Sequence, residues 1–383
     1  MTTSALRGAA AVAGIGGTRF YKRGTGQPEK RMLLEAVLAA CSDAGVDPRE
    51  VDGFTSYGDG HDEAPTLATA LDIHDFRFSV ISSGGGGGIA GAIAAAAAAV
   101  VTGLARYVIV YRSLAQAESG RQEFVRYHFT STYRAQGVVS AVQSGSLRTR
   151  RMLDVEGVPE GAIEAFTLAV HHHGSTNPEG LAYGHTLSPE KYAAGRMIAS
   201  PQRLYDCSRE ADGAFALLVT SSERARQLRQ APAYILGAEQ SGYGEDAGNS
   251  DPYATSGFLP AARRLWDNTG YAPDDVDVVQ VYENTAGPAI QALIDHGFTT
   301  FAEAEKFFTV DNLIAPHGLL PVNTAGGNLA AGFVHGMGLP VEAVRQLRGT
   351  SANQVPDAAL SLFIAGPQAQ LTGSVLFGTE ATL

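Results

Sequence analysis

A short pattern occurs twice in this sequence. Gly45, Pro48, Val51 and Asp52 return as Gly270, Pro273, Val276 and Asp277 at one offset (270 − 45 = 225). The first copy follows a helical apolar face of Leu33, Leu34, Val37, Leu38 and Cys41 and runs into a strand, Val51 to Tyr57. The second follows Trp266 and runs into Val276-Asp277-Val278-Val279. Each copy is a helix, a turn opened by a helix-stopping glycine, and a strand. Such a repeat predicts a duplicated α/β architecture. With 383 residues the chain is long enough for two domain-sized units. Ala231-Pro232 is the expected boundary, giving halves at 1–230 and 231–383.

Within the first half, Ala9 to Gly17 reads as a buried strand. Phe78 to Ser83 is another, running into five glycines, Gly84 to Gly88, and then a small-residue helix over Ile89 to Thr102. Arg106 to Tyr111 has the apolar run of a sheet covered on both faces. The second half carries its own glycine-rich turn into a small-residue helix at Gly326 to Gly332, followed by a helix at Val341 that Gly349 stops. Residues 113–200 mix Arg, His and Tyr with glycine, and an irregular inserted loop domain is expected there. His171-His172-His173 lies within it. Adjacent histidines on a helix point in different directions, so a partly solvated helix end is expected rather than a metal site. Tyr205 to Gly213 turns into the strand Ala214 to Val219, and Ser221 to Gln230 reads as a charged helix.

Composition excludes several function classes. A formal net charge of −11 and the lack of a long basic run argue against nucleic acid. The longest apolar run, Ile89 to Val101, is too short to span a bilayer. The first residues lack the apolar core of a signal peptide. Cys41 and Cys207 form neither a metal spacing nor a disulfide framework. A cytoplasmic protein without a metal is the expectation.

The stretch Pro321 to Gly336 concentrates the chemistry-bearing residues. Asn323-Thr324-Ala325-Gly326-Gly327 allows a tight turn and close backbone approach, and His335-Gly336 brings a histidine to a helix start.

Together with the duplicated halves, Leu204-Tyr205-Asp206-Cys207, Gln280-Val281-Tyr282-Glu283-Asn284 and Val344 to Gly349, this stretch resembles the thiolase superfamily. The likeness is to its sterol-carrier-protein-x and lipid-transfer-protein branch. It runs from about Ala10 to Gly378 and is weakest between Ser113 and Ser200. It implies a thiolase-like fold of two similar βαβαβ-type halves in an α-β-α-β-α layering, and a homodimer. A cysteine-dependent thiolase has its nucleophile at a helix N-terminus, where the dipole lowers the thiol pKa. In this chain that position falls near Gly86. Phe333 stands where the family has its catalytic histidine, and Phe363 near its second cysteine. Acyl-enzyme chemistry is therefore not expected.

The chain also resembles the branch that lacks this nucleophile, the aldolases that cleave β-hydroxyacyl-CoA esters in steroid side-chain degradation. Retro-aldol cleavage needs a base for the β-hydroxyl and stabilisation of an enolate, with no covalent intermediate. One of the two tyrosines implicated in that branch matches Tyr282; the other position is Phe333, a departure from the pattern. The resemblance thus implies Tyr282 as acid/base residue; because a phenol of pKa about 10 needs help to act as a base, Glu283 or His335 is expected to assist it, with Asn323 or glycine-loop amides holding the oxyanion. Gly86, Gly326, Gly327, Phe333 and Gly366 would line the substrate, an acyl-CoA ester; coenzyme A enters only as part of that substrate and no other cofactor is implied. Asp206 and Asp212 read as loop buttresses. A small OB-fold, zinc-ribbon partner subunit is implied as well. Arg112, Arg121, Arg126, Arg134, Arg148, Arg150 and Arg151 are candidates for the CoA phosphates.

Two other readings compete. Strand, glycines and helix at Gly84 to Gly88 suit a dinucleotide turn, but the next strand ends in Tyr111-Arg112 without an acidic ribose ligand. The missing cysteine, histidine and second tyrosine also suit a catalytically degenerate subunit that binds acyl-CoA or scaffolds a partner.

Overall fold

In a computed structural model, residues 6–22, 26–58, 64–115, 131–242, 257–366 and 371–383 are described. The strands of the main sheet are β1 (Ala10–Gly17), β2 (Gly53–Tyr57), β3 (Phe78–Ser82), β4 (Tyr107–Ala115), β5 (Asp212–Ser221), β6 (Ala233–Gly242), β7 (Val278–Val281), β8 (Leu360–Ala365) and β9 (Leu371–Gly378). Their order in the sheet is β3-β2-β4-β5-β1-β6-β9-β8-β7. The duplication is visible in this order. In the first half β2 pairs parallel with β3 and β4, β4 antiparallel with β5, and β5 antiparallel with β1. In the second half β7, β8, β9 and β6 repeat these pairings, and a parallel bridge from Val279 to Val322 takes the place of β3. The two leaves join through β1 and β6, by Ala11 opposite Tyr234 and Val12 opposite Ala233.

The repeated residues explain why both halves fold alike. Helix α1 (Glu29–Ala44) stops at Gly45, and its counterpart (Phe258–Thr269) stops at Gly270; both glycines have φ 75°. Each aspartate then ties its strand to the next one. Asp52 Oδ1 accepts from the amides of Arg106 and Tyr107 at the start of β4. Asp277 Oδ2 accepts from the amides of Ala359 and Leu360 at the start of β8.

Helix α2 (Gly88–Val101) packs against strands of both leaves, because residues small and apolar on every side can be buried on every side. The C-terminal helix (Gly338–Leu347) does the same, while α1 covers only the first leaf and Phe258–Thr269 only the second. The result is the α-β-α-β-α layering that the resemblance implied.

Several local expectations are corrected. Residues 131–200 are not irregular: they carry helices α3 (Ala141–Glu156) and α4 (Glu160–Thr176). His171 and His173, near the end of α4, are buried, and His173 Nε2 accepts from the Ala315 amide at 2.8 Å. Ser221 to Gln230 holds only one helical turn, Ser222–Ala225. Gly327–Ala331 forms a five-residue π-helical turn, and the following helix begins at Gly338. Among the described residues no helix is long and apolar enough to cross a membrane, and no His, Cys, Asp or Glu cluster could hold a metal.

Candidate active site

The carboxyl ends of the parallel strands from both leaves converge where α2 begins, the usual place for a ligand in an open α/β sheet. After β3 the chain turns through Gly84 (φ 100°) and Gly85 (φ 55°), conformations that suit residues without a Cβ. Gly86 follows. A Cβ there would overlap Cε2 of Tyr282 and lie 2.5 Å from Cζ and 2.9 Å from the hydroxyl oxygen. Tyr282 thus occupies the space that a side chain at this helix start would use. Its amide donates to Ile364 O at 2.8 Å, which holds it at the end of β7. Gly336 (φ 83°) also borders the ring, where a Cβ would overlap Cδ2. Burial raises the phenol pKa, the nearby Glu283 raises it further, and Arg112 opposes both. The phenol therefore stays protonated.

His335 stands beside this tyrosine. A Cβ on Gly85 would lie 3.6 Å from His335 Nε2, so consecutive glycines face the imidazole and the Tyr282 hydroxyl. The Phe333 ring lies near both, with centroids 6.2 Å from Tyr282 and 5.9 Å from His335. The Phe333 amide donates to Arg209 O at 2.8 Å. The aromatic ring expected in the site is present, without a hydroxyl.

Glu283 faces the other way, as neighbours on an extended segment do. Its Oε1 accepts from Asn323 Nδ2 at 2.7 Å and from the Asn328 amide at 2.9 Å, and its Oε2 from Asn328 Nδ2 at 3.2 Å. Burial pushes this carboxyl up to about 8 against those donors. Asn323 (φ 48°) acts like a length of backbone: its Oδ1 accepts from the Val281 amide and its Nδ2 donates to Val281 O. Its amide is thus engaged with β7 and Glu283 rather than turned toward Tyr282. Gly327 is needed because a Cβ would overlap Glu283 Oε1, and Gly326 because a Cβ would lie 2.5 Å from Gly174 Cα on α4. Gly366 packs on the glycine loop, its Cβ position 3.0 Å from Gly87 Cα.

Of the expected site residues, the fold thus brings together Gly86, Tyr282, Phe333 and His335. It gathers Glu283, Asn323, Gly326 and Gly327 into a support behind β7. One neighbour of His335 went unrecognised in the sequence, and Arg112 was assigned another role. Tyr57, the last residue of β2, donates its hydroxyl to His335 O at 2.8 Å. Arg112 on β4 is buried and donates to Tyr57 O at 3.0 Å, so it is no surface ligand for a CoA phosphate. The signal available was positional: Tyr57-Gly58 closes a strand next to the glycine loop. Asp206 does buttress its loop, accepting from Thr167 Oγ1 and the Arg203 amide. Arg150 is ion-paired with Asp154 on α3 and Glu160 at the start of α4, and Arg151 with Glu156. Arg121 and Arg126 lie outside the described residues.

Residues 242–375 match the Thiolase C-terminal domain-like family. Over 387 aligned residues the chain is 34% identical to the 17-hydroxy-3-oxo-4-pregnene-20-carboxyl-CoA lyase of Mycobacterium tuberculosis, covering 97% of this chain and 100% of that one. It is 33% identical to a steroid side-chain-cleaving aldolase of Thermomonospora curvata, over 97% of this chain and 99% of the relative. This chain belongs to the steroid side-chain-cleaving aldolase family. A solved structure of an Ltp2-ChsH2(DUF35) aldolase superposes on it with a TM-score of 0.91 and 32% identity, covering 99% of this chain and 100% of that one. Membership accounts for the helix start: an aldolase of thiolase-like fold has no need of a nucleophile at Gly86.

Proposed function

We propose that this aldolase cleaves a β-hydroxyacyl-CoA ester by a retro-aldol reaction without a covalent intermediate. The carrying observation is that the Tyr282 hydroxyl fills the place of a nucleophile on Gly86. The β-hydroxyl proton passes to a base, and its O–H electrons form the new carbonyl. The Cα–Cβ bond breaks, and its electrons pass to the thioester as an enolate, which is then protonated at Cα. The products are a ketone or aldehyde and a shortened acyl-CoA. A buried, protonated Tyr282 suits hydrogen-bonding of the enolate and return of the proton. His335, facing the adjacent glycine, is the base in this reading. In this reading, backbone amides of the glycine loop before α2 supply the remaining oxyanion donors.

The similarity to the Ltp2-ChsH2(DUF35) aldolase supports a small DUF35-type partner subunit for this chain too. A homodimer through β3 is part of the proposal. β3 is an edge strand, and its Val80 and Ile81 are 37% and 48% exposed.

Mass spectrometry of β-hydroxyacyl-CoA esters incubated with the protein, with and without such a partner, tests the proposal. A ketone or aldehyde with a shortened acyl-CoA is expected, and Tyr282→Phe should abolish both. Binding of CoA esters with no turnover across a broad panel would favour the degenerate-subunit reading instead.

A further inference from the structure

His335 holds an unusual backbone conformation for a non-glycine residue, φ 49°, and does so inside the site. Such a conformation persists when its surroundings enforce it, and Tyr57 bonds to the main chain of this residue. The Tyr57 phenol is fully buried and donates to the carbonyl of His335 at 2.8 Å. The two rings lie 5.3 Å apart, tilted by 47°. Burial raises the Tyr57 pKa well above its ordinary value, so the hydroxyl stays a donor. Tyr57 is itself held on both sides. Arg112 Nη1 donates to its carbonyl, and the Arg112 guanidinium carbon is 5.7 Å from its ring centroid. Gly88, at the start of α2, packs so closely that a Cβ on it would lie 2.9 Å from Tyr57 Cβ. Gly58 (φ 77°) completes the cradle: a Cβ there would lie 2.9 Å from His335 Cε1 and 3.3 Å from Nδ1.

We propose that Tyr57 is a positioning residue for the reaction: its phenol fixes the His335 backbone and so holds the imidazole at Gly85, beside the Tyr282 hydroxyl. The assignment rests on the retro-aldol reading, in which His335 is the base. Tyr57 reaches no reacting atom in this scheme. Its effect runs through the main chain of His335, which makes it separable from a general loss of packing.

Tyr57→Phe keeps the ring and removes the bond. With the partner present, kcat for β-hydroxyacyl-CoA cleavage is expected to fall on the order of 10²-fold, the cost of a misplacement of about 1 Å, with KM changed less than about twofold. In a His335→Ala background the same substitution should have no further effect on kcat. Unchanged kcat in Tyr57→Phe, or losses that simply multiply in the double variant, would overturn the proposal. A second readout does not depend on turnover. In protein with 13C-labelled histidine, the His335 ring signals, assigned by their loss in His335→Gln, should shift in Tyr57→Phe while thermal unfolding stays close to wild type. Unmoved His335 signals would overturn the assignment. Absence of cleavage by the wild-type protein, with shifted His335 signals in the variant, would instead count against the retro-aldol reading and leave Tyr57 as the residue that sets this imidazole.

Discussion

A Cβ on Gly86 would stand 2.9 Å from the hydroxyl oxygen of Tyr282 and closer still to its ring. Glycine at the helix start and tyrosine at the end of β7 are therefore complementary: a side chain at 86 leaves no room for the phenol where it stands. Gly86→Ala should force the phenol aside, lowering kcat on the order of 10²-fold and stability by about 1–3 kcal/mol through overpacking. Steady-state cleavage kinetics beside chemical unfolding would check both. Wild-type kcat in Gly86→Ala would show that the phenol's position does not matter. Gly86→Cys should bring no thiolytic activity, because Tyr282 fills the space a thiol would need.

Glu283 gives stability a slope with pH. Its pKa rises on folding from 4.5 to about 8, so the folded protein holds a proton that the unfolded chain has released. That contribution is full below about pH 4.5 and is lost as pH climbs toward 8, at up to ~1.4 kcal/mol per pH unit. Asp206, raised from 3.8 to about 6, acts over a lower window, and Glu342 is also raised by burial. Glu283→Gln should reduce the fall in stability between pH 6 and 8. It should also cost about 1–3 kcal/mol, because an amide NH2 would face Asn328 Nδ2. An equal slope in variant and wild type, measured by urea unfolding across this range, would exclude Glu283 as the source.

Three buried histidines act in the opposite direction. Burial pulls His173 down to about 3 and His171 and His296 to about 4, from an ordinary 6.5. Each is neutral in the folded protein and takes up a proton on unfolding once pH is below 6.5. Their contribution is present above 6.5 and is lost as pH falls toward 4, with a combined slope approaching three protons. Unfolding measured from pH 7 to 4.5 should show this loss. His173→Leu should flatten it by one proton, while costing stability at every pH because the buried Ala315 amide loses its acceptor.

The repeated aspartates make equivalent attachments in separate leaves. Asp52→Ala and Asp277→Ala should each remove two charge-assisted bonds to backbone amides and cost about 2–4 kcal/mol. Because the two attachments share no partner, the double variant should show the sum within about 0.5 kcal/mol. A strongly non-additive result would mean that the two attachments interact through the sheet or that the leaves do not unfold together in one two-state step.

Much of the architecture was legible without coordinates. The offset repeat of Gly, Pro, Val and Asp specified two equivalent helix–turn–strand units, because glycine stops a helix and the period of apolar residues separates helix from strand. Gly86 at the helix start was enough to remove a thiolase nucleophile. The roles of individual polar residues were not legible in the same way. Tyr282 and Glu283 are adjacent in sequence, yet the extended chain turns one toward the glycine loop and the other toward Asn323 and Asn328. Asn323 lies in a turn by its residue type, but only the packed fold engages its amide with β7. Tyr57 and His335 are 278 residues apart and meet through a main-chain carbonyl, a contact that no side-chain pattern encodes. Local preference and periodicity determine elements, since they act over a few residues. Which faces meet, and therefore which donors find which acceptors, is decided by the packing of two leaves around the helices between them.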